Sequence, residues 1–202
     1  MNQNSYVIGI IGGAGTGKTY MSKYLVEHLN AMFIEGDQIA HELLRDKGMI
    51  HSISEKFGDD IVENGEINRS KLGKIVFADK QSLMALNEIM HGTMFKMIEE
   101  KIRRSDHKYI ILEAAVMIEA GFSKLVHGMV CLKAHEDIRL ERLISSRSID
   151  LKTAENILKS QRNDYEDYAD YIFDTTEGME SIKDDLEKMM NEIREAEYEK
   201  NN

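Results

Sequence analysis

An apolar run at residues 6–11 leads directly into Gly12-Gly13-Ala14-Gly15-Thr16-Gly17-Lys18-Thr19. Gly12, Gly17, Lys18 and Thr19 fill the pattern G-x-x-x-x-G-K-[ST], and a helical pattern follows at residues 18–29, with Met21, Leu25 and Leu29 four apart on one face. Strand, glycine loop and helix in that order describe a phosphate cradle. Glycines let the backbone wrap around phosphate oxygens with its N–H groups turned inward, and the new helix adds its positive end. Gly13, Ala14, Gly15, Thr16, Gly17, Lys18, Thr19 and Tyr20 are the candidate nucleotide-binding residues, with Lys18 on the β- and γ-phosphates and Thr19 on Mg²⁺.

A buried strand that feeds such a loop belongs to a parallel sheet, and the rest of the chain agrees. Further apolar runs at 31–34, 109–112, 129–132 and 171–173 read as strands, and helical patterns lie between them. Five strands alternating with helices predict an α/β fold, a five-stranded parallel sheet covered on both faces as a three-layer sandwich. Asp37 heads a helical pattern after the second strand, where it can serve as an N-cap. Between residues 49 and 105 no strand is expected. Helices are read at 50–57, 70–78 and 82–103, and 58–68 reads as a polar turn region. Residues 136–146 form a helix, 147–168 a polar charged segment, 181–194 a closing helix with one apolar face, and 195–202 a frayed tail. The expected organisation is one domain with a core of residues 1–48, 106–146 and 169–202, a helical insert at 49–105 and a lid at 147–168.

The formal net charge of −10 over 202 residues argues against general nucleic-acid or acidic-membrane binding. It also means that positive charge for a polyanion must be focused locally, which directs attention to lysines and arginines. Cys131 lies inside an apolar run and reads as a buried thiol; as the chain's single cysteine it forms no internal disulfide, in keeping with a cytoplasmic location. No run is long enough to span a membrane, and the N-terminal run is too short for a signal peptide. A monomer or weak homo-oligomer is expected.

A phosphate loop alone specifies a bound nucleotide; phosphoryl transfer also needs a group to orient or deprotonate the acceptor, and cations for the developing charge. Asp37 falls on the same sheet edge as the loop, where its carboxylate is either a base for a hydroxyl acceptor or a plain helix cap. Glu113, closing the third long strand, is either a second Mg²⁺-site element or a solvated strand end. Arg139, Arg142 and Arg147 flank the polar segment and are read as mobile arginines that close over ATP, Arg139 on the nucleotide and Arg142 and Arg147 on the transferred group.

Nearly the whole chain, from about Val7 to Phe173, resembles the dephospho-CoA kinases. These are P-loop enzymes of the nucleotide-kinase-like fold that phosphorylate the ribose 3′-hydroxyl of dephospho-CoA in the last step of coenzyme A synthesis. The resemblance is carried by the loop, by Phe33-Ile34-Glu35-Gly36-Asp37-Gln38-Ile39-Ala40-His41, by Phe57-Gly58-Asp59-Asp60-Ile61, by Gly65-Glu66-Ile67-Asn68-Arg69-Ser70-Lys71-Leu72 with Val76-Phe77, by Leu86-Asn87-Glu88-Ile89-Met90-His91, and by Glu119, Gln161 and Ala169-Asp170. It implies that Asp37 is the base for the 3′-hydroxyl and that ATP with Mg²⁺ is the donor. It also implies that 49–105 is the CoA-binding region, with His41, His91 and Glu119 on the substrate side, and that 147–168 is the ATP lid.

Five departures stand out. The family's His-Pro is His91-Gly92, its Asp-x-Pro is Glu113-Ala114-Ala115, and its asparagine after the final strand is Thr175. The arginine usual after Ile-Ala is His41, which removes an expected cation near the acceptor, and the stretch between Gln161 and Ala169 is shorter than usual. Two other functions are compatible with the loop: a P-loop kinase for another nucleoside or nucleotide, and a nucleotide-dependent switch. The switch of the GTPase type needs an Asn-Lys-x-Asp guanine motif, and the chain has none.

Overall fold

The computed structural model describes residues 5–200, with side chains through residue 196. Strands β1 (Tyr6–Gly12), β2 (Met32–Glu35), β5 (Tyr109–Glu113), β6 (Gly128–Lys133) and β7 (Tyr171–Asp174) form one parallel sheet in the order β2-β5-β1-β6-β7. Every residue of β5 is buried, as are all of β1 but Tyr6 and all of β6 but Lys133. That is why these segments read as continuous apolar runs rather than alternating ones. Cys131 sits within this core, and burial pushes its thiol up to about 11, consistent with an inert strand residue.

Side chains of β1 divide between the two faces with period two. Ile8 and Ile10 pack with Met21, Leu25 and Leu29 of α1 (Lys18–Leu29) and with Leu186, Met190 and Ile193 of α8 (Lys183–Lys200). Val7 and Ile11 face Ile39 and Leu43 of α2 (Gly36–Leu43), Ile53 of α3 (Lys47–Phe57), Ile98 of α5 (Lys80–Arg104) and Phe122 of the connection after β5. Helices cover both faces, giving the three-layer α/β architecture of P-loop kinases.

Between α3 and α5 the chain forms a short hairpin, β3 (Val62–Glu63) with β4 (Glu66–Ile67), and α4 (Arg69–Val76). The hairpin corrects the expectation that 49–105 holds no strand. Its turn is Asn64-Gly65, both at positive φ (53° and 80°), the pairing a tight two-residue hairpin demands. Because α5 runs unbroken through His91 and Gly92, the glycine that replaces the family's proline keeps a backbone N–H inside a 25-residue helix.

After α6 (Glu136–Arg147) comes a second correction: α7 (Leu151–Ser160) occupies the middle of the segment read as merely polar. The Asp150 carboxylate caps it by accepting from Thr153 N at 2.7 Å, and Ala154, Ile157 and Leu158 pack on Leu140, Leu143 and Ile144 of α6. This small cluster also includes Ala14 of the phosphate loop. The closing helix continues to Lys200, past the point where fraying was expected, and residues 201 and 202 lie outside the described residues.

Candidate active site

All five strands of the sheet are parallel, so their carboxyl ends share one edge, and the chain's chemistry gathers there. The phosphate loop leaves β1, Asp37 follows β2, Glu113 ends β5 and Thr175 follows β7. Gly15 in the loop has φ +79°, and a Cβ there would lie 2.6 Å from the Arg139 carbonyl oxygen, so only glycine lets the loop lie so close to α6. Gly36 does the same for the opposite wall. A Cβ on it would meet that of Ala114 at 2.7 Å, so glycine brings the start of α2, and with it Asp37, against the end of β5.

The loop is held from within and from beneath. Thr16, buried, donates its hydroxyl to the Gly13 carbonyl at 2.8 Å, and Lys18 Nζ donates to the same carbonyl at 2.9 Å. Burial lowers the Lys18 pKa from its ordinary value, while the nearby charges of Glu113 and Asp37 oppose that shift. Thr19 Oγ1 donates to Glu113 Oε1 at 3.0 Å, and Ser22 Oγ donates to Glu113 Oε2 at 2.8 Å. Glu113 is 9% exposed, which removes the solvated strand end as a description of it. Hydroxyl and carboxylate oxygens at this spot are the hard donors that suit Mg²⁺, an ion that keeps several waters and uses few protein ligands. No group of three or more His, Cys, Asp or Glu side chains that could hold a metal ion occurs among the described residues.

Asp37 is the second residue of α2, and Glu35 occupies the N-cap position. Capping therefore does not explain Asp37. Among the described residues its exposed carboxylate has no hydrogen-bond or ion-pair partner, and it lines a cleft of about 660 Å³ together with Gly17, Lys18, Thr19, Tyr20, Glu113 and Arg147. Glu35 lines the same cleft beside Glu113, its register partner.

Arg139, Arg142 and Arg147 do not form a mobile trio, because two of them are committed to the backbone. Arg139 Nε donates to the Ala14 carbonyl at 2.9 Å and Nη2 to Gln161 Oε1 at 3.2 Å. Arg142 donates to the Thr175 carbonyl at 2.7 Å, to Thr175 Oγ1 at 3.1 Å and to the Gly15 carbonyl at 3.4 Å. Arg147, at the end of α6, is exposed and has no such partner among the described residues. Thr175 is 1% exposed and donates to the Thr16 carbonyl at 2.8 Å, so the residue in place of the family's asparagine clamps the loop after β7 to the phosphate loop.

His41 stands beside a cation, Arg69 of α4. Arg69 Nη2 donates to His41 Nε2 at 3.0 Å, which places the ring proton on Nδ1, and both line a pocket of about 380 Å³ with Arg45, Gln38, Glu42 and Glu66. His91 is half-buried in α5, edge-on to Phe122 with ring centroids 6.5 Å apart. Burial lowers its pKa, and the charge of Glu119 opposes the shift. Glu119 in turn accepts from Arg162 Nη1 at 3.0 Å. Of the residues in this network, Arg162 and Ser22 carried no motif signal; their roles appear only when distant elements meet.

The dephospho-CoA kinase family model matches residues 6–180. A dephospho-CoA kinase from Fusobacterium nucleatum subsp. nucleatum is 30% identical over 190 residues, covering 93% of this chain and 98% of the relative. One from Dehalococcoides mccartyi is 32% identical over 183 residues, covering 88% and 92%. Among solved structures, a protein from Thermus thermophilus superposes with a TM-score of 0.79 at 21% identity, over 94% of this chain and 98% of that one, a likeness of fold. With a family match across most of its length and the loop, the opposing carboxylate and the helical insert in place, the chain belongs to the dephospho-CoA kinase family.

Proposed function

We propose that this chain transfers the γ-phosphoryl group of ATP to the ribose 3′-hydroxyl of dephospho-CoA with Asp37 as base and the Gly12–Thr19 loop as phosphate cradle. The observation that carries the assignment is Asp37 itself: an exposed carboxylate with no partner among the described residues, lining the same cleft as Lys18 and near enough for its charge to act on it. Asp37 takes the proton from the 3′-hydroxyl as that oxygen bonds to the γ-phosphorus; the bond from phosphorus to the β,γ-bridging oxygen breaks, and ADP leaves. Lys18 exchanges the Gly13 carbonyl for phosphate oxygens, and the loop amides hold the rest. Arg147, free of other partners among the described residues, supplies charge at the transferring group. Arg139 and Arg142 act by bracing the loop and the connection after β7 at Thr175.

Thr19 and Glu113 are the residues that would hold Mg²⁺, which would offset charge on the phosphates when bound. The acceptor side comprises His91, Glu119 and the Arg69–His41 pair, within or facing the helical insert 49–105. Residues 147–168 form the lid, with α7 as its helical part, on a core made of 1–48, 106–146 and 169–202. Replacing Asp37 with Asn tests the assignment. Turnover should fall by about a hundredfold or more, with ATP binding intact by equilibrium titration. An Asp37→Asn enzyme that keeps most of its turnover would remove Asp37 as the base.

A further inference from the structure

Gln161 and Arg162, adjacent residues just after α7, reach in different directions. Gln161 Oε1 accepts the Ala14 N–H at 2.7 Å, so the root of the lid is fastened to an amide of the phosphate loop. Arg139 closes that arrangement by donating to both Gln161 and the Ala14 carbonyl.

Arg162, one peptide further on, reaches a different set of partners. Its Nε and Nη2 donate to the two oxygens of Asp164 at 2.6 and 2.9 Å, and its Nη1 donates to Glu119 at 3.0 Å. The guanidinium also lies 4.7 Å from the ring centroid of Tyr168 and 5.7 Å from that of Tyr165. With the Arg162 side chain only 18% exposed, the planar fork is locked by its own segment, and the remaining arm is aimed at Glu119. A bare stability staple would need no particular partner. Glu119 is not a neutral choice, because it is the carboxylate whose charge acts on His91. It also lies six residues after Glu113, which receives Thr19 and Ser22.

We propose that Arg162 is a positioning residue that couples occupancy of the acceptor side to the phosphate loop, through Glu119 on one hand and its neighbour Gln161 on the other. The inference rests on the reading that ATP occupies the loop side and dephospho-CoA the side of His91 and Glu119. A ligand that fixes Glu119 fixes Arg162, and one peptide bond away it fixes the side chain that holds Ala14. One peptide bond separates the two attachments, which leaves little slack between them.

Calorimetric titration of the full chain with a non-hydrolysable ATP analogue, with and without saturating dephospho-CoA, tests this. The native protein should bind the analogue about tenfold more tightly when dephospho-CoA is present. Arg162→Gln should lose that enhancement while its affinity for the analogue alone stays within about threefold of native. Arg162→Lys keeps the charge without the planar fork and should lose most of the enhancement as well, so it carries the test if the glutamine variant does not fold. Adding Glu119→Gln to Arg162→Gln should remove nothing further, because the pair acts as a unit. Full enhancement in either folded Arg162 variant, or none in a native protein that binds both ligands, overturns the proposal. A native protein that binds the analogue but not dephospho-CoA overturns the acceptor-side reading, and the coupling with it.

Discussion

At the scale of single residues, His41 and His91 differ in what surrounds them. His41 is exposed and accepts from Arg69, whereas His91 is half-buried against Phe122 and its pKa is lowered, by burial first, from 6.5. The sign follows from proton counting. A folded His91 that resists protonation binds fewer protons than the unfolded chain, so its contribution to stability is complete above pH 6.5 and declines as pH falls from there through its lower folded value. Urea unfolding of native protein and His91→Gln between pH 5 and pH 8 should therefore show a smaller loss of stability at the acid end in the variant. Equal losses would mean that His91 titrates as it does in the unfolded chain. Residue identities within motifs were legible in the sequence: Lys18, Thr19, Asp37 and Glu113 meet at the cleft as their strand-end positions implied. What Arg142, Thr175 and Arg162 touch was not legible. Their partners lie 33 residues apart for Arg142 with Thr175, 159 for Thr175 with Thr16 and 43 for Arg162 with Glu119, and nothing in local spacing records such meetings.

Among the elements, helices and central strands followed their periodicity closely. Helix α1 occupies the residues that its four-residue apolar spacing predicts, because the same side chains both define the pattern and fill the core beneath the sheet. The hairpin and α7 were missed for different physical reasons. The β3–β4 hairpin is too short for alternation to show, yet its Asn64-Gly65 turn was a readable signal. Helix α7 buries only a narrow stripe against α6, and the charged residues around Ala154, Ile157 and Leu158 masked it. An element so lightly packed depends on its cap more than a core helix does. Removing the cap with Asp150→Ala should cost α7 about 1 kcal/mol, read as faster amide exchange across Leu151–Ser160 with little change in the melting temperature of the whole protein. Unchanged exchange in α7 would show that its packing, not Asp150, sets its stability.

For the whole molecule, an acidic chain that binds polyanions must confine positive charge to one edge of its sheet, and the parallel topology does this. Every carboxyl end of the five strands opens on that edge, where the loop amides, Lys18 and Arg147 line one cleft with Asp37, while Arg69 of α4 and Arg45, just after α2, line a second pocket. No helix among the described residues is long and apolar enough to cross a membrane. Fold class and reaction class were both accessible from sequence, because one loop motif and one strand pattern determine them together. The proposed acceptor side was accessible only through resemblance, since its pieces come from α2, α4, α5 and the connection after β5.

The central claim is that Asp37 and the Gly12–Thr19 loop serve one acceptor, the 3′-hydroxyl of dephospho-CoA. It is tested most directly by measuring ADP release from ATP and Mg²⁺ across dephospho-CoA, adenosine and nucleoside monophosphates, and by locating the phosphate in the product. The predicted result is strong stimulation by dephospho-CoA alone, with the new phosphate on the ribose 3′-oxygen and no stimulation when Mg²⁺ is chelated. Stimulation by another acceptor and none by dephospho-CoA would contradict it.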